Sequence, residues 1–234
     1  MKIGLNECRL FNCWSSGFRI EITTRPSHQI YNTIDMLRDY LIRPARRTDA
    51  RQIADLIAIS SDGIATIEWQ QQADEENCSP LDIGERIYQI PQQGYSYNSA
   101  TIVEKNTVIA GMLLTFPMPD SSPRNPEKRP RADDDNVFAP YIYLEEPNSW
   151  YICGVAFYSE HRGQGLGTKL MDLANRQAKA NGISQLSLIA FEENTGSVRL
   201  YQRLGYEVVD RAPVVPHLII KYGGDALLMT RTVY

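Results

Sequence analysis

Residues 150–168 read WYICGVAFYSEHRGQGLGT: an apolar run, a short polar turn, then a glycine-rich loop that feeds a helix. Gly163, Gly165 and Gly167 alternate with Gln164 and Leu166, so the backbone can take positive φ and is bare of bulk where an amphipathic helix begins. A helix N-terminus carries unpaired N–H groups and a partial positive charge, so strand, glycine turn and helix together form an anion site. A phosphorylated ligand is its natural occupant.

Two common phosphate loops do not fit. The dinucleotide pattern G-x-G-x-x-G, counted from Gly163, ends on Thr168, and the following strand region reads QLSLIAF with no acidic residue to hold a ribose. The nucleoside-triphosphate pattern G-x-x-x-x-G-K-[ST] meets Thr168 where it needs glycine, and Leu170 follows Lys169.

Composition narrows the classes. The chain has 234 residues, 43% of them hydrophobic and 22% charged, which are ordinary globular values for one sizeable domain or a domain with an appendage. A net charge of −4 argues against a general nucleic-acid binder. No apolar run approaches the roughly 18 residues of a membrane span; residues 108–116 are among the longest and read as a strand. Asn6, Glu7 and Arg9 interrupt any signal-like stretch, and Cys8, Cys13, Cys78 and Cys153 have neither zinc-ligand spacing nor disulfide-scaffold density. The expectation is a cytoplasmic protein with reduced thiols, no metal, no membrane and no nucleic-acid partner.

Residues 1–39 read as an N-terminal extension, with a strand-like alternation at Phe18, Ile20 and Ile22 that Pro26 breaks. Met36 stands just before the first domain-like segment, and translation starting there is one reading of residues 1–35. The domain proper is expected over residues 40–234. A strand at residues 40–43 ends at Pro44, and Thr48-Asp49 supplies a helix cap. Ile53, Leu56 and Ile57 then share a helical face until Gly63. Helices follow at residues 65–72 and from Ser79-Pro80 to Pro91. Residues 100–104 and 107–115 form a hairpin joined at Lys105-Asn106.

Residues 117–147 hold seven of the chain's 13 prolines and a mixed charge run, and read as an exposed insertion, with residues 141–144 as the segment that docks it to the core. Leu166, Leu170, Leu173, Ala174 and Ala178 form an apolar helical stripe closed by Asn181-Gly182. A strand at residues 186–191, a helix at 195–204, and strands at 206–210 and 226–232 complete the chain.

What the glycine loop does fit is Arg162-x-x-Gly165-x-Gly167, and downstream stands a second motif, Asn194-x-x-Ser197-x-x-Leu200-Tyr201-x-x-x-Gly205-Tyr206. The two, with this order of elements, resemble the GNAT superfamily of acyl-CoA-dependent N-acetyltransferases over residues 40–234. The resemblance implies an α/β (α+β) fold: a mixed, mostly antiparallel sheet splayed in its middle, with helices on both faces. It implies that acetyl-CoA is the cosubstrate, with its pantetheine arm on the backbone of Val155 and Phe157. Its pyrophosphate then lies on Gly163, Gln164, Gly165, Leu166, Gly167 and Thr168, with Arg162 and Asn194 as further contacts. Asn194 also reads as a helix N-cap, and His161 as an exposed turn residue. Cys153 reads as a buried core residue, with no partners that would make it a nucleophile.

The implied reaction is attack of a neutral primary amine on the thioester. The Phe157 amide would stabilise the oxyanion and Tyr201 would serve as acid for the leaving thiolate, with core packing as the bland alternative for Tyr201. An alkyl ammonium of pKa near 10.4 is neutral in about one molecule in a few thousand at pH 7, so a base or water chain is needed. Many relatives use a Glu on the strand at 150–157, and this chain has none there. Glu146 or an ordered water is the expected substitute; Glu145 lies beside Glu146 just upstream of the strand, while Glu68, Asp62 and His217 come from segments that wall the acceptor side in the family. The acceptor is expected to be a small-molecule amine, with a protein amine as the other option and a homodimer left open. The competing function is a non-catalytic acyl-CoA-binding sensor.

Overall fold

The computed structural model describes residues 39–120, 129–131 and 135–234; the strand pattern at residues 18–22 and the question of Met36 lie outside them. The strands are β1 (Tyr40–Pro44), β2 (Ala100–Lys105), β3 (Val108–Pro117), β4 (Trp150–Phe157), β5 (Gln185–Phe191), β6 (Glu207–Pro213) and β7 (Asp225–Thr232). Among the described residues they form one sheet in the order β1-β2-β3-β4-β5-β7-β6. Every neighbouring pair is antiparallel except β4 and β5.

Helices α1 (Ala50–Ser60), α2 (Ile64–Glu76) and α3 (Pro80–Tyr88) cover one face, and α5 (Leu166–Ala180) with α6 (Thr195–Arg203) covers the other. The short α4 (Ala139–Tyr143) packs near the β6 and β7 end. This is the splayed, mostly antiparallel α/β architecture expected.

The apolar patterns explain the packing. In α1, Ile53, Ala54 and Leu56 are fully buried beside Ala50 and Ile57. Each large side chain withdrawn from water contributes about 1.5–3 kcal/mol. The stripe of α5 is buried along its length, from Leu166 to Ala178. α1 can lie close to β4 because residue 154 is glycine: a Cβ there would come within 2.8 Å of Ser60 Oγ and 2.9 Å of Ile57 Cδ1.

Two local expectations change. The hairpin turn is Asn106-Thr107, both at positive φ (51° and 67°), while Lys105 still pairs with Val108. Two central residues at positive φ are what a tight turn matching strand twist requires, and that sets the loop one residue later. Asp49 does not cap α1 with its side chain. Its carboxylate accepts from Arg46 N and from Arg43, whose Nε also donates to Glu104, so it ties α1 to the sheet edge.

The end of the insertion packs on the sheet. Of residues 117–147, Met118 and Leu144 are buried, and Phe138, Tyr141 and Tyr143 pack on the cluster formed by Phe191, Val214 and Leu228. The aromatic residues at the end of this stretch bury enough apolar surface to hold it against the sheet.

Candidate active site

β4 and β5 run side by side only at Trp150–Leu186 and Tyr151–Ser187, and beyond that rung they part. The join is pinned by two buried hydroxyls, Ser149 Oγ and Ser187 Oγ, 2.6 Å apart. Just past it β4 bulges: Gly154 faces Leu114 and Ile152 faces Thr115, leaving Cys153 without an opposite residue. Cys153 and Gly154 therefore both face α1–α3, while Val155 and Phe157 turn to the α5 side. Among the described residues no strand lies beside the β5-side edge of β4 beyond Tyr151, which leaves its backbone groups to an extended ligand.

The glycine loop lies at the end of β4. Gly163 and Gly165 take φ of 72° and 77°, and a Cβ on either would meet nothing within 4 Å. Gly165 is the N-cap of α5 and supplies no side-chain cap, and the first turn holds no acidic residue. The first amides of α5 are thus left for an outside anion, and an acyl-CoA pyrophosphate has the charge to suit them. Leu166 is anchored in the core, Gly167 passes close to Leu200 of α6, and Thr168 is exposed.

Two contacts fix this loop, and the sequence pattern did not reveal either. Arg162 Nε donates to the Phe157 carbonyl at 2.8 Å, folding the loop back on the strand. Tyr40 Oη lies 3.0 Å from His161 Nδ1 and donates to Gln164 Oε1 at 3.2 Å. His161, expected in an exposed turn, is instead a part-buried partner of Tyr40, because the edge strand β1 reaches the loop.

Where β4 and β5 have parted, a cavity of about 150 Å³ passes between them. Tyr151 and Cys153 line one edge and Ile189, Ala190 and Phe191 the other; Trp69 of α2, Tyr141 of α4 and Tyr201 of α6 close it. Its carboxylates are Asp62, Glu68 and Glu145. Glu146 does not line it, and neither does His217, whose ring accepts from Ile219 N at an exposed loop. Val155 and Phe157 lie farther along β4, outside the cavity wall.

The site perturbs its titratable groups. Burial pushes the Glu145 carboxyl up to about 7. Burial also raises Asp62, against the lowering effects of Lys221, an Asn194 hydrogen bond and Arg162. Asp62 adopts φ of 49°, and Gly63 follows at φ 105°, pressed against Ile219. A non-glycine residue in this region is uncommon outside sites that constrain it.

The Tyr201 phenol rises to about 12 through burial and the charge of Asp62. Burial drives the Cys153 thiol up to about 12, so it is a neutral wall group and not a nucleophile. Asn194 serves as N-cap of α6, accepting from Ser197 N, while it also hydrogen-bonds Asp62.

Among the described residues no three His, Cys, Asp or Glu side chains are placed to hold a metal ion, and no helix is long and apolar enough to cross a membrane. The aromatic wall was not singled out from sequence, since Tyr88, Tyr95, Phe116 and Tyr151 come from separate elements. Only the high tyrosine count, 13, hinted at it.

Comparison with known proteins agrees with this geometry. A curated relative, the uncharacterized N-acetyltransferase YobR of Bacillus subtilis (strain 168), is 31% identical over 58 residues. That match spans 25% of this chain and about a quarter, 24%, of the relative's length. Two solved structures share the fold. One is an acetyltransferase at 22% identity and TM-score 0.57, covering 83% of this chain and 100% of its own. The other is a Salmonella typhimurium protein solved with its cofactor acetyl-CoA, at 20% identity and TM-score 0.50, covering 83% and 94%. The family described as acetyltransferase (GNAT) matches residues 63–206, more than half of the chain and both sides of the parted strands, and the chain belongs to that family.

Proposed function

We propose that this protein moves the acetyl group of acetyl-CoA onto the primary amine of a small, positively charged molecule. The observation that carries the reading is the aromatic and acidic cavity between the parted strands, with Tyr201 in its wall. The uncapped amides of α5 and the open edge of β4 suit acetyl-CoA on the other side. Val155 and Phe157 would hold its pantetheine arm through backbone groups. Gly163, Gln164, Gly165, Leu166, Gly167 and Thr168 would hold its pyrophosphate, with Arg162 and Asn194 alongside. When bound it supplies an activated acetyl thioester.

In this reading the Phe157 amide donates to the thioester oxygen as charge develops there. Glu145 takes the proton of the incoming ammonium. A carboxylate near 7 is matched to neutral pH, whereas an unperturbed Glu near 4.3 is a much weaker base. Glu145 replaces Glu146 as the candidate because it faces the cavity. Tyr201 stays protonated at neutral pH and gives a hydrogen bond to the leaving sulfur. At about 12 it is a weaker acid than a thiol near 8.5, so it stabilises the thiolate without surrendering its proton outright.

Mixing the protein with acetyl-CoA and a panel of amines, and following free thiol, tests the proposal. Turnover on small cationic amines supports it. Acetyl-CoA binding with no turnover on any amine supports the non-catalytic sensor, turnover on peptide amines alone supports a protein acceptor, and failure to bind acetyl-CoA overturns all three.

A further inference from the structure

The glycine loop between β4 and α5 has two loose joints. Gly163 and Gly165 take φ of 72° and 77° with nothing within 4 Å of an added Cβ, so packing holds neither in place. Glycine has more backbone freedom to lose than any other residue, and a ligand that must itself order such a loop binds more weakly. The flanks are fixed, by the Arg162 bond to the Phe157 carbonyl on one side and by buried Leu166 on the other. Between the two glycines the side chain of Gln164 is what can fix the backbone.

Gln164 is exposed as a residue, yet both ends of its amide are engaged. Nε2 donates to the Glu160 carbonyl at 3.4 Å, and a carbonyl takes only donors, so Oε1 is the atom turned to Tyr40 Oη at 3.2 Å. The Tyr40 phenol has one hydrogen and Oε1 can only accept, so that hydrogen goes to Gln164. His161 Nδ1, 3.0 Å from the same Oη, must then carry a hydrogen and donate it. The result is a directed chain from His161 to Tyr40 to Gln164, in which each bond polarises the next.

Tyr40 is a firm base for that chain. It is the first residue of β1, pairs with Lys105 of β2 and is 3% exposed. Lys105 Nζ lies 5.0 Å from the centre of its ring, and the His161 ring stands at 88° to it with centroids 5.7 Å apart.

We infer that Tyr40 is a positioning residue for acetyl-CoA: it holds Gln164, and through it the backbone from Gly163 to Gly165, in the conformation that receives the pyrophosphate. Tyr40 takes no part in the chemistry; it spares acetyl-CoA the cost of ordering the loop. The strand at the edge of the sheet, β1, thus sets cofactor affinity at a site built from β4 and α5. The inference rests on the reading above that an acetyl-CoA pyrophosphate occupies this loop.

Isothermal titration calorimetry of acetyl-CoA against wild type, Tyr40→Phe, Gln164→Ala and the double variant tests it. Tyr40→Phe keeps the ring and removes the hydroxyl, and should weaken binding about fivefold, as for loss of one hydrogen bond. Gln164→Ala should weaken it to a similar degree. Because the two act through one contact, the double variant should bind no more than about twofold more weakly than either single one, where independent effects would multiply to about 25-fold. In steady-state kinetics the loss in Tyr40→Phe should fall on KM for acetyl-CoA rather than on kcat.

A Tyr40→Phe protein that binds acetyl-CoA as tightly as wild type overturns the proposal. Losses that multiply in the double variant overturn it too, since Tyr40 would then act through packing alone. Gln164 is exposed, so Gln164→Ala reads the same contact should Tyr40→Phe fail to fold, and wild-type affinity in that variant also overturns the proposal. A wild-type protein that does not bind acetyl-CoA at all overturns the acetyltransferase reading beneath it, which is a different result from binding that neither substitution affects.

Discussion

The hydroxyls of Ser149, the residue before β4, and Ser187 meet at 2.6 Å beside the two rungs that β4 and β5 share. Ser149 commits its own hydrogen to the Glu146 carbonyl at 2.7 Å, so Ser187 is the donor between the two. Both residues are fully buried. The two substitutions should therefore differ: Ser187→Ala loses one hydrogen bond, about 1 kcal/mol, whereas Ser149→Ala loses two, leaves the buried Ser187 hydroxyl without its acceptor, and costs about 2–3 kcal/mol. Urea unfolding of the two variants checks the order, and equal losses would contradict it.

Arg162 joins the two halves of the proposed acetyl-CoA site through its bond to the Phe157 carbonyl. Removing it in Arg162→Ala frees the loop from the strand. We expect KM for acetyl-CoA to rise about tenfold, as for loss of one charge-assisted hydrogen bond, with a smaller change in KM for the amine. Steady-state kinetics with each substrate varied in turn separates these.

Gly111 lies under the Phe157 ring: a Cβ there would stand 2.3 Å from Phe157 Cδ1 and 2.5 Å from the Ala156 carbonyl oxygen. Neither neighbour can yield without moving the end of β4. Gly111→Ala should cost about 1–3 kcal/mol of stability and weaken acetyl-CoA binding, both measurable by thermal unfolding with and without the ligand. A variant as stable as the parent would show that β4 tolerates displacement.

Glu145 sets the pH behaviour. A base that must be ionised loses function on the acid side, so kcat/KM should fall below pH of about 7, and Glu145→Gln should lower kcat by about 10²-fold or more. Stability runs the other way. The folded-state pKa lies above the unfolded value, so the folded protein holds this proton more tightly. That contribution is complete below about 4.3 and is lost as pH rises through about 7. Above pH 7 the Glu145→Gln protein should be the more stable of the two, by a few degrees in Tm.

Much of this was readable in the chain before any coordinates. The strand, loop and helix at residues 150–180 announce themselves through glycine spacing and an apolar stripe, both local patterns. The α3 start was legible as Ser79-Pro80, and Ser79 and Asp82 do form a reciprocal cap. The contacts that assemble the cavity were not legible, because Glu68, Glu145 and Tyr201 are brought together by tertiary packing across a gap in the sheet. Glu145 and Glu146 are adjacent in sequence, and only the docking of Tyr141 and Leu144 decides which one faces inward. The tie from Tyr40 to His161 spans 121 residues and leaves no periodic trace.

The central claim, acetyl transfer from acetyl-CoA at Tyr201, is tested most directly by thiol release in the presence of a small cationic amine, comparing wild type with Tyr201→Phe. The account predicts turnover by the wild type. It also predicts a kcat reduced about tenfold or more in the variant, with acetyl-CoA affinity little changed, because the hydroxyl is needed as sulfur departs. A Tyr201→Phe protein that turns over as fast as the wild type would contradict it.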